Sequence, residues 1–380
     1  RIYKCALYLA RHIFSRKKYS AKGKDAANIQ SIIPYEKIDG NCIVHKNGTV
    51  TGIIAIKPIE FRLLGASKQN YLIDGVLTNV LTSVGASQEA AIVKLEKTLD
   101  FDRHIQADLN VALAEANENG DLTDGEYAAR IDVIQDRLAL ADTLKTEQKV
   151  KYSCYYIAVT DRNKTSLMAT LSVMRGTLLS GSIEARILKG GQLAEFIALS
   201  KKLDVTDELT APCETSFRLT STVQDDKQLS HFVITGYPLK VPNAWGEELF
   251  DLPNTKVVMK LKPVEKSKAL KRIDTAIMEL STQAKGKASK IIDKTTHVET
   301  LSALLARLQN DNEVLFDTTF IITAYDEKGK ADNKRLIRRK IRELGFTANE
   351  MFGRQADAYL TSEFAAYDAV KISRGIQSSS

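Results

Sequence analysis

Residues 314–325 read VLFDTTFIITAY, a run dominated by phenylalanine, isoleucine and threonine. Such side chains fit a pleated, half-buried surface, so the run predicts a strand. Its flanks predict helices. Upstream, 266–284 places Leu270, Ile273, Ile277 and Leu280 on one face, and 297–308 repeats the pattern with Leu301, Leu304, Leu305 and Leu308. Downstream, 333–344 carries Ile337, Ile341 and Leu344 in a stripe, and 346–352 is expected as a last strand. With an alternating strand over 256–264, this half has the order strand, two helices, strand, helix, strand.

The first half predicts the same order. Residues 42–45 and 50–56 read as two short strands joined by Lys46-Asn47-Gly48, because Asn-Gly tolerates the positive φ of a hairpin turn. A helix from Ser67 carries Leu72, Val76 and Val80, and Ala91, Val93 and Leu95 alternate with Ile92, Lys94 and Glu96 as a strand. Residues 103–148, rich in alanine, leucine and carboxylates, predict a helical hairpin. A strand over 152–159, a helix over 164–179 with Leu167, Leu171, Met174 and Leu178 inward, and a strand over 182–188 complete the half. The expected fold class is therefore α+β, with two similar sheet-plus-helix units, the first carrying the hairpin as an insertion. The expected divisions are 1–30, a basic amphipathic segment; 31–205, the first unit; and 206–380, the second unit and the lead-in to a motor domain.

The 380 residues are 44% hydrophobic, which is ordinary globular material, and the four cysteines are too scattered for a zinc ribbon or a disulfide framework. The net charge of +7 is concentrated at one end. Residues 1–24 hold eight basic side chains, among them Arg1, Lys4, Arg11, Arg16, Lys17 and Lys18, and no carboxylate. Removing these eight from the 54 basic residues leaves 46 against 47 acidic ones, a body of formal charge −1. The same end has Ile2, Ala6, Leu9 and Ile13 at the spacing of one helical face. It is too short and too interrupted by charge to cross a bilayer, which takes about 20 apolar residues. It suits an anionic membrane surface or a neighbouring protein.

Chemical motifs fail on inspection. Lys285-Gly286-Lys287-Ala288-Ser289 lacks the upstream glycine of a phosphate-binding loop and has Ala288 where a magnesium-binding hydroxyl is needed. Residues 321–327 end a strand in Asp326 and Glu327, the outline of a magnesium-positioning element without its loop. Asn117, Asn119 and Asp121 open a calcium-like loop, but Leu122 and Ala128 occupy the positions that require glycine and glutamate. His12, His45, His104, His231 and His297 show no zinc spacing, and Asp225-Asp226 and Asp100 with Asp102 read as solvated turns. One basic face remains in the body. Arg335, Arg338, Arg339 and Arg342 lie off the apolar stripe of their helix, without the interleaved aromatics of a single-strand-binding surface.

Several segments carry a family resemblance: Gly236-Tyr237-Pro238-Leu239, Asn243-Ala244-Trp245-Gly246-Glu247-Glu248-Leu249-Phe250, 254–260 (NTKVVMK), Lys271-Arg272-Ile273-Asp274, Arg354-Gln355 with Tyr359-Leu360, and Ser373-Arg374-Gly375-Ile376 with Ser378-Ser379. As an ordered set over about 33–380 they resemble the N-terminal region of the TraE/TrsE-type conjugation ATPases, relatives of the fourth VirB component of type IV secretion systems. A proline common in that family is not seen at Ser362-Glu363-Phe364. The resemblance implies a docking and assembly role in conjugative transfer, attaching a hexamerising motor to the inner-membrane complex at the cytoplasmic face of the cell membrane. Expected partners are inner-membrane components, including the counterpart of the third VirB component, with homo-oligomerisation of the full-length protein. No catalytic residue, metal or cofactor is expected in this chain, with ATP and Mg²⁺ expected only in a motor domain beyond it. The basic segment would contact membrane or partner, and the arginine face a partner. The rival reading is a nucleic-acid binding module acting through 335–342.

Overall fold

The computed structural model describes residues 7–10, 12–13, 15, 18–20, 33–98, 110, 124–143, 151–202, 214–238, 246–282, 288–310, 313–364 and 367–378. Its strands are β1 (Lys18–Ser20), β2 (Tyr35–Asp39), β3 (Cys42–His45), β4 (Val50–Ile56), β5 (Glu89–Thr98), β6 (Lys151–Asp161), β7 (Ala185–Ile187), β8 (Glu214–Phe217), β9 (Thr222–Gln224), β10 (Lys227–Gly236), β11 (Thr255–Pro263), β12 (Leu315–Glu327), β13 (Thr347–Glu350) and β14 (Arg374–Gln377). The helices are α1 (Ala66–Asn70), continued by a π-helical stretch (Tyr71–Leu77) into α2 (Thr78–Thr82), then α3 (Asp124–Thr143), α4 (Lys164–Ser180), α5 (Gly191–Lys201), α6 (Glu247–Phe250), α7 (Lys266–Thr282), α8 (Ala288–Asn310), α9 (Asp332–Glu343) and α10 (Gln355–Thr361).

The two-unit fold expected from the sequence is wrong, because the fourteen strands among the described residues all belong to one antiparallel sheet. Its order is β1-β8-β9-β10-β12-β11-β5-β6-β4-β3-β2, with β13 on β10, β14 on β12 and β7 on β4. The pairing that overturns the expectation joins β5 to β11, with Val258 opposite Val93 and Leu261 opposite Ala90. Each half would otherwise leave this strand as an edge of unpaired amide and carbonyl groups. Pairing edge to edge satisfies both. Arg1–Leu95 with Tyr155–Ser380 forms one compact unit and Glu96–Cys154 a second. In the second unit α3 occupies the later part of the expected helical hairpin, and most of its earlier part lies outside the described residues.

The strand at the centre of the sequence argument is central in space. β12 pairs with β11 along one side, and along the other with β10 over 321–327 and with β14 over 315–318. Alternation along these strands divides the core into two faces. Val233, Val258 and Ile321 point into a cluster with Phe196, Ile197, Met351, Ala358 and Phe364, covered by α5, α10 and the segment that follows it. Phe232, Val257, Phe320 and Ile322 point the other way, beneath α6 and α9. On that second face the first half is covered by α4 and the α1–α2 run, whose Leu72, Val76 and Val80 are all buried. A four-residue repeat drifts around an α-helix of 3.6 residues per turn, and the wider π turns at 71–77 keep these three in line. Gly52 allows α4 to lie close, since a Cβ there would come within 2.3 Å of Leu171 Cδ1. α7 and α8 pack on each other through Ala269, Ile273 and Leu308.

Candidate docking surface

Of the N-terminal basic residues singled out in the sequence, Arg1, Lys4, Arg11, Arg16 and Lys17 lie outside the described residues. Lys18 opens β1, exposed and opposite Ser216 of β8, so the segment read as a basic arm ends by adding a strand to the body. Two ring contacts accompany it. Tyr19 meets Phe217 edge-on at 5.8 Å, and the Arg354 guanidinium lies 4.9 Å from the Tyr8 ring centroid. Gly353, at φ +68, leaves room for this approach, because a Cβ there would sit 3.3 Å from the Tyr8 carbonyl oxygen. Leu9 and Ile13 of the expected apolar face are exposed, at 40% and 57%, as is the neighbouring Leu7 at 55%; Ile2 and Ala6 lie outside the described residues.

The arginine face is built on α9. Ile337 and Ile341 are buried beneath it, and Asp326 at the end of β12 accepts the backbone N–H groups of Asn333 and Lys334 at 2.8 and 3.1 Å. The carboxylate read as a magnesium element thus serves a helix N-terminus, where N–H groups lack intrahelical partners. At the end of β6, Asp161 likewise accepts N–H groups of Arg162 and Asn163. Three of the four arginines are matched by carboxylates. Arg335 pairs with Asp332 at 3.6 Å, Arg339 with Glu343 at 3.5 Å, and Arg338 with Glu350, which also takes Lys334 at 2.9 Å. Burial would raise the Glu350 pKa, but Lys334 and Arg338 outweigh it and hold the carboxyl below its ordinary value. Arg342 is exposed and forms no ion pair among the described residues.

Sequence reasoning missed a second charged cluster. Lys256 and Lys260 alternate with Val257, Met259 and Leu261 along β11, a pattern that normally marks a solvated face, yet this face lies under α5 and the segment after α10. There Glu363 Oε1 accepts from Lys201 Nζ at 2.7 Å and Lys256 Nζ at 3.3 Å, with all three side chains at most 4% exposed. Lys201 also stands 4.8 Å from the Tyr359 ring centroid and 5.8 Å from that of Tyr35. Burial would raise the Glu363 pKa, but the two ammonium groups lower it below the ordinary range, so the carboxylate is ionised. Burial lowers both lysines against the attraction of Glu363. Lys260 is pushed down to about 8, chiefly by burial, and donates to the Tyr367 carbonyl. Nearby His231 is pushed to about 3 by burial and then by Lys256, and is held between Thr323 and Thr222. The cluster ties α5, β11 and the segment after α10 together. That segment continues into β14, so 374–377, read as part of a lead-in, is a strand of the sheet.

Among the described residues no group of histidine, cysteine and carboxylate side chains is placed to hold a metal ion, and no helix is long and apolar enough to cross a membrane. The chain matches no protein-family model and no curated protein.

Proposed function

We propose that this chain is the N-terminal docking and assembly region of a conjugative-transfer ATPase of the TraE/TrsE type, attaching a motor to inner-membrane components at the cytoplasmic face of the membrane. The family rests on the ordered resemblance over 33–380. The observation that carries the docking role is the N-terminal arm. It exposes Leu7, Leu9 and Ile13 within a sequence segment, residues 1–24, that holds eight basic side chains and no carboxylate, while Tyr8 and β1 fasten it to the body. Exposed apolar side chains next to basic ones gain free energy by transfer to an anionic interface, about 1 kcal/mol for each basic residue near the surface. Deleting residues 1–24 from the full-length protein is expected to move it from the membrane fraction to the soluble fraction. Unchanged fractionation would remove the arm from the account.

The nucleic-acid reading is weaker, because Arg335, Arg338 and Arg339 each already face a carboxylate. Phosphate contacts would have to compete with those pairs.

A further inference from the structure

The rim of β13 combines three features that no role has yet claimed. Among the described residues β13 pairs with β10 on one side and with no strand on the other. Two cavities flank it, and Asn349 lines both. The first, about 160 Å³, is lined by Phe232, Ile341 and Ala348 with Arg338, Arg342 and Glu350, whose carboxylate is already paired with Arg338 and Lys334. The second, about 460 Å³, is lined by Thr235, Thr347, Ile372 and Arg374. Arg374 donates through Nε to the Thr235 carbonyl at 2.9 Å and, like Arg342, is exposed without an ion pair among the described residues. Between Asp332 and Glu350 six basic side chains stand against three carboxylates, so the excess charge of this region is positive.

We propose that β13 is a strand-addition site for an extended, acidic segment of a partner protein. An extended peptide hydrogen-bonds to an open sheet edge through its backbone, and its side chains alternate between the two faces. Here one set faces Ala348 and the exposed Arg342, and the other faces Arg374. Carboxylates flanking an apolar residue complement this arrangement, and lysines in the same places are repelled. The proposal supplies a partner surface for the docking reading and rests on it only in taking the partner to be a protein.

The probe is a fluorescein-labelled decapeptide of alternating glutamate and leucine, titrated with the chain and followed by anisotropy. Arg342→Glu and Arg374→Glu are each expected to weaken binding by about tenfold or more, and Arg335→Glu, whose arginine lies outside both cavities, by less than about twofold. Circular dichroism of each variant establishes that it is folded. Methylating alternate backbone amides of the probe leaves its charge unchanged and is expected to abolish binding. Equal binding of the methylated probe, equal loss with Arg335→Glu, no binding of the acidic probe, or tighter binding of single-stranded oligothymidylate would each overturn the proposal. Membrane fractionation of the full-length protein carrying Arg342→Glu separates the two ideas, because the docking reading through the N-terminal arm predicts no change there.

Discussion

In the Lys201, Lys256 and Glu363 cluster, two ammonium groups share one carboxylate oxygen with almost no access to water. On α9, carboxylates and basic groups also meet, but Arg335 and Asp332 are 77% and 80% exposed. The interactions are alike on paper and differ in what happens when one partner is removed. Water takes the place of a lost surface partner, whereas nothing replaces a lost buried one. The buried cluster therefore holds the segment after α10 against β11, and the exposed pairs on α9 tolerate the loss of either partner.

The largest test of this contrast is Glu363→Gln. It leaves two buried ammonium groups without a counter-charge and is expected to cost roughly 3–5 kcal/mol in urea unfolding. A loss under about 1 kcal/mol would show that the lysines find other partners or deprotonate freely. Next is the response to acid. His231 is neutral in the folded chain at a pKa of about 3 against an ordinary 6.5, so as pH falls below 6.5 the unfolded chain takes up the proton first. Its contribution is intact above pH 6.5 and is lost on the way down to about 3, reaching roughly 3 kcal/mol at pH 4. His45, lowered to about 4 by burial, acts in the same direction. His231→Gln is expected to shift the acid-unfolding midpoint to lower pH, and an unmoved midpoint would assign acid sensitivity to other groups. Smaller still is Glu350→Gln on the half-buried α9–β13 pairing, at about 1 kcal/mol, with Arg335→Gln at the exposed end within about 0.5 kcal/mol by thermal denaturation.

Much of the local structure was legible in the sequence, for reasons that also explain the failures. Leu167, Leu171, Met174 and Leu178 were read as one face of a helix, and all four are buried. Ile337 and Ile341 were found in the same way, because helical periodicity reports burial directly. The helix through Leu72, Val76 and Val80 was recognised as well, though not its π-helical turns. The joining of β5 to β11 was not legible, since antiparallel pairing across more than 150 residues leaves no periodic mark in either strand. Lys94, Lys256 and Lys260 were misleading. In a strand, alternation of lysine with valine normally signals a wet face, and here both faces are covered. Lys94 compensates by donating to the Leu252 carbonyl at 2.8 Å. On the surface, the sequence grouped four arginines as one face. Three of them have carboxylate neighbours, and one of those, Glu350, is brought over from β13 by the fold.

Attachment to a membrane-bound transfer apparatus is tested by comparing two strains. The full-length protein is expressed in cells carrying the whole apparatus and in cells lacking its inner-membrane components, and its sedimentation with membranes is quantified in each. The membrane-bound fraction is expected to fall when those components are absent and to fall further when residues 1–24 are also deleted. Equal distribution in both strains, with or without residues 1–24, would contradict it.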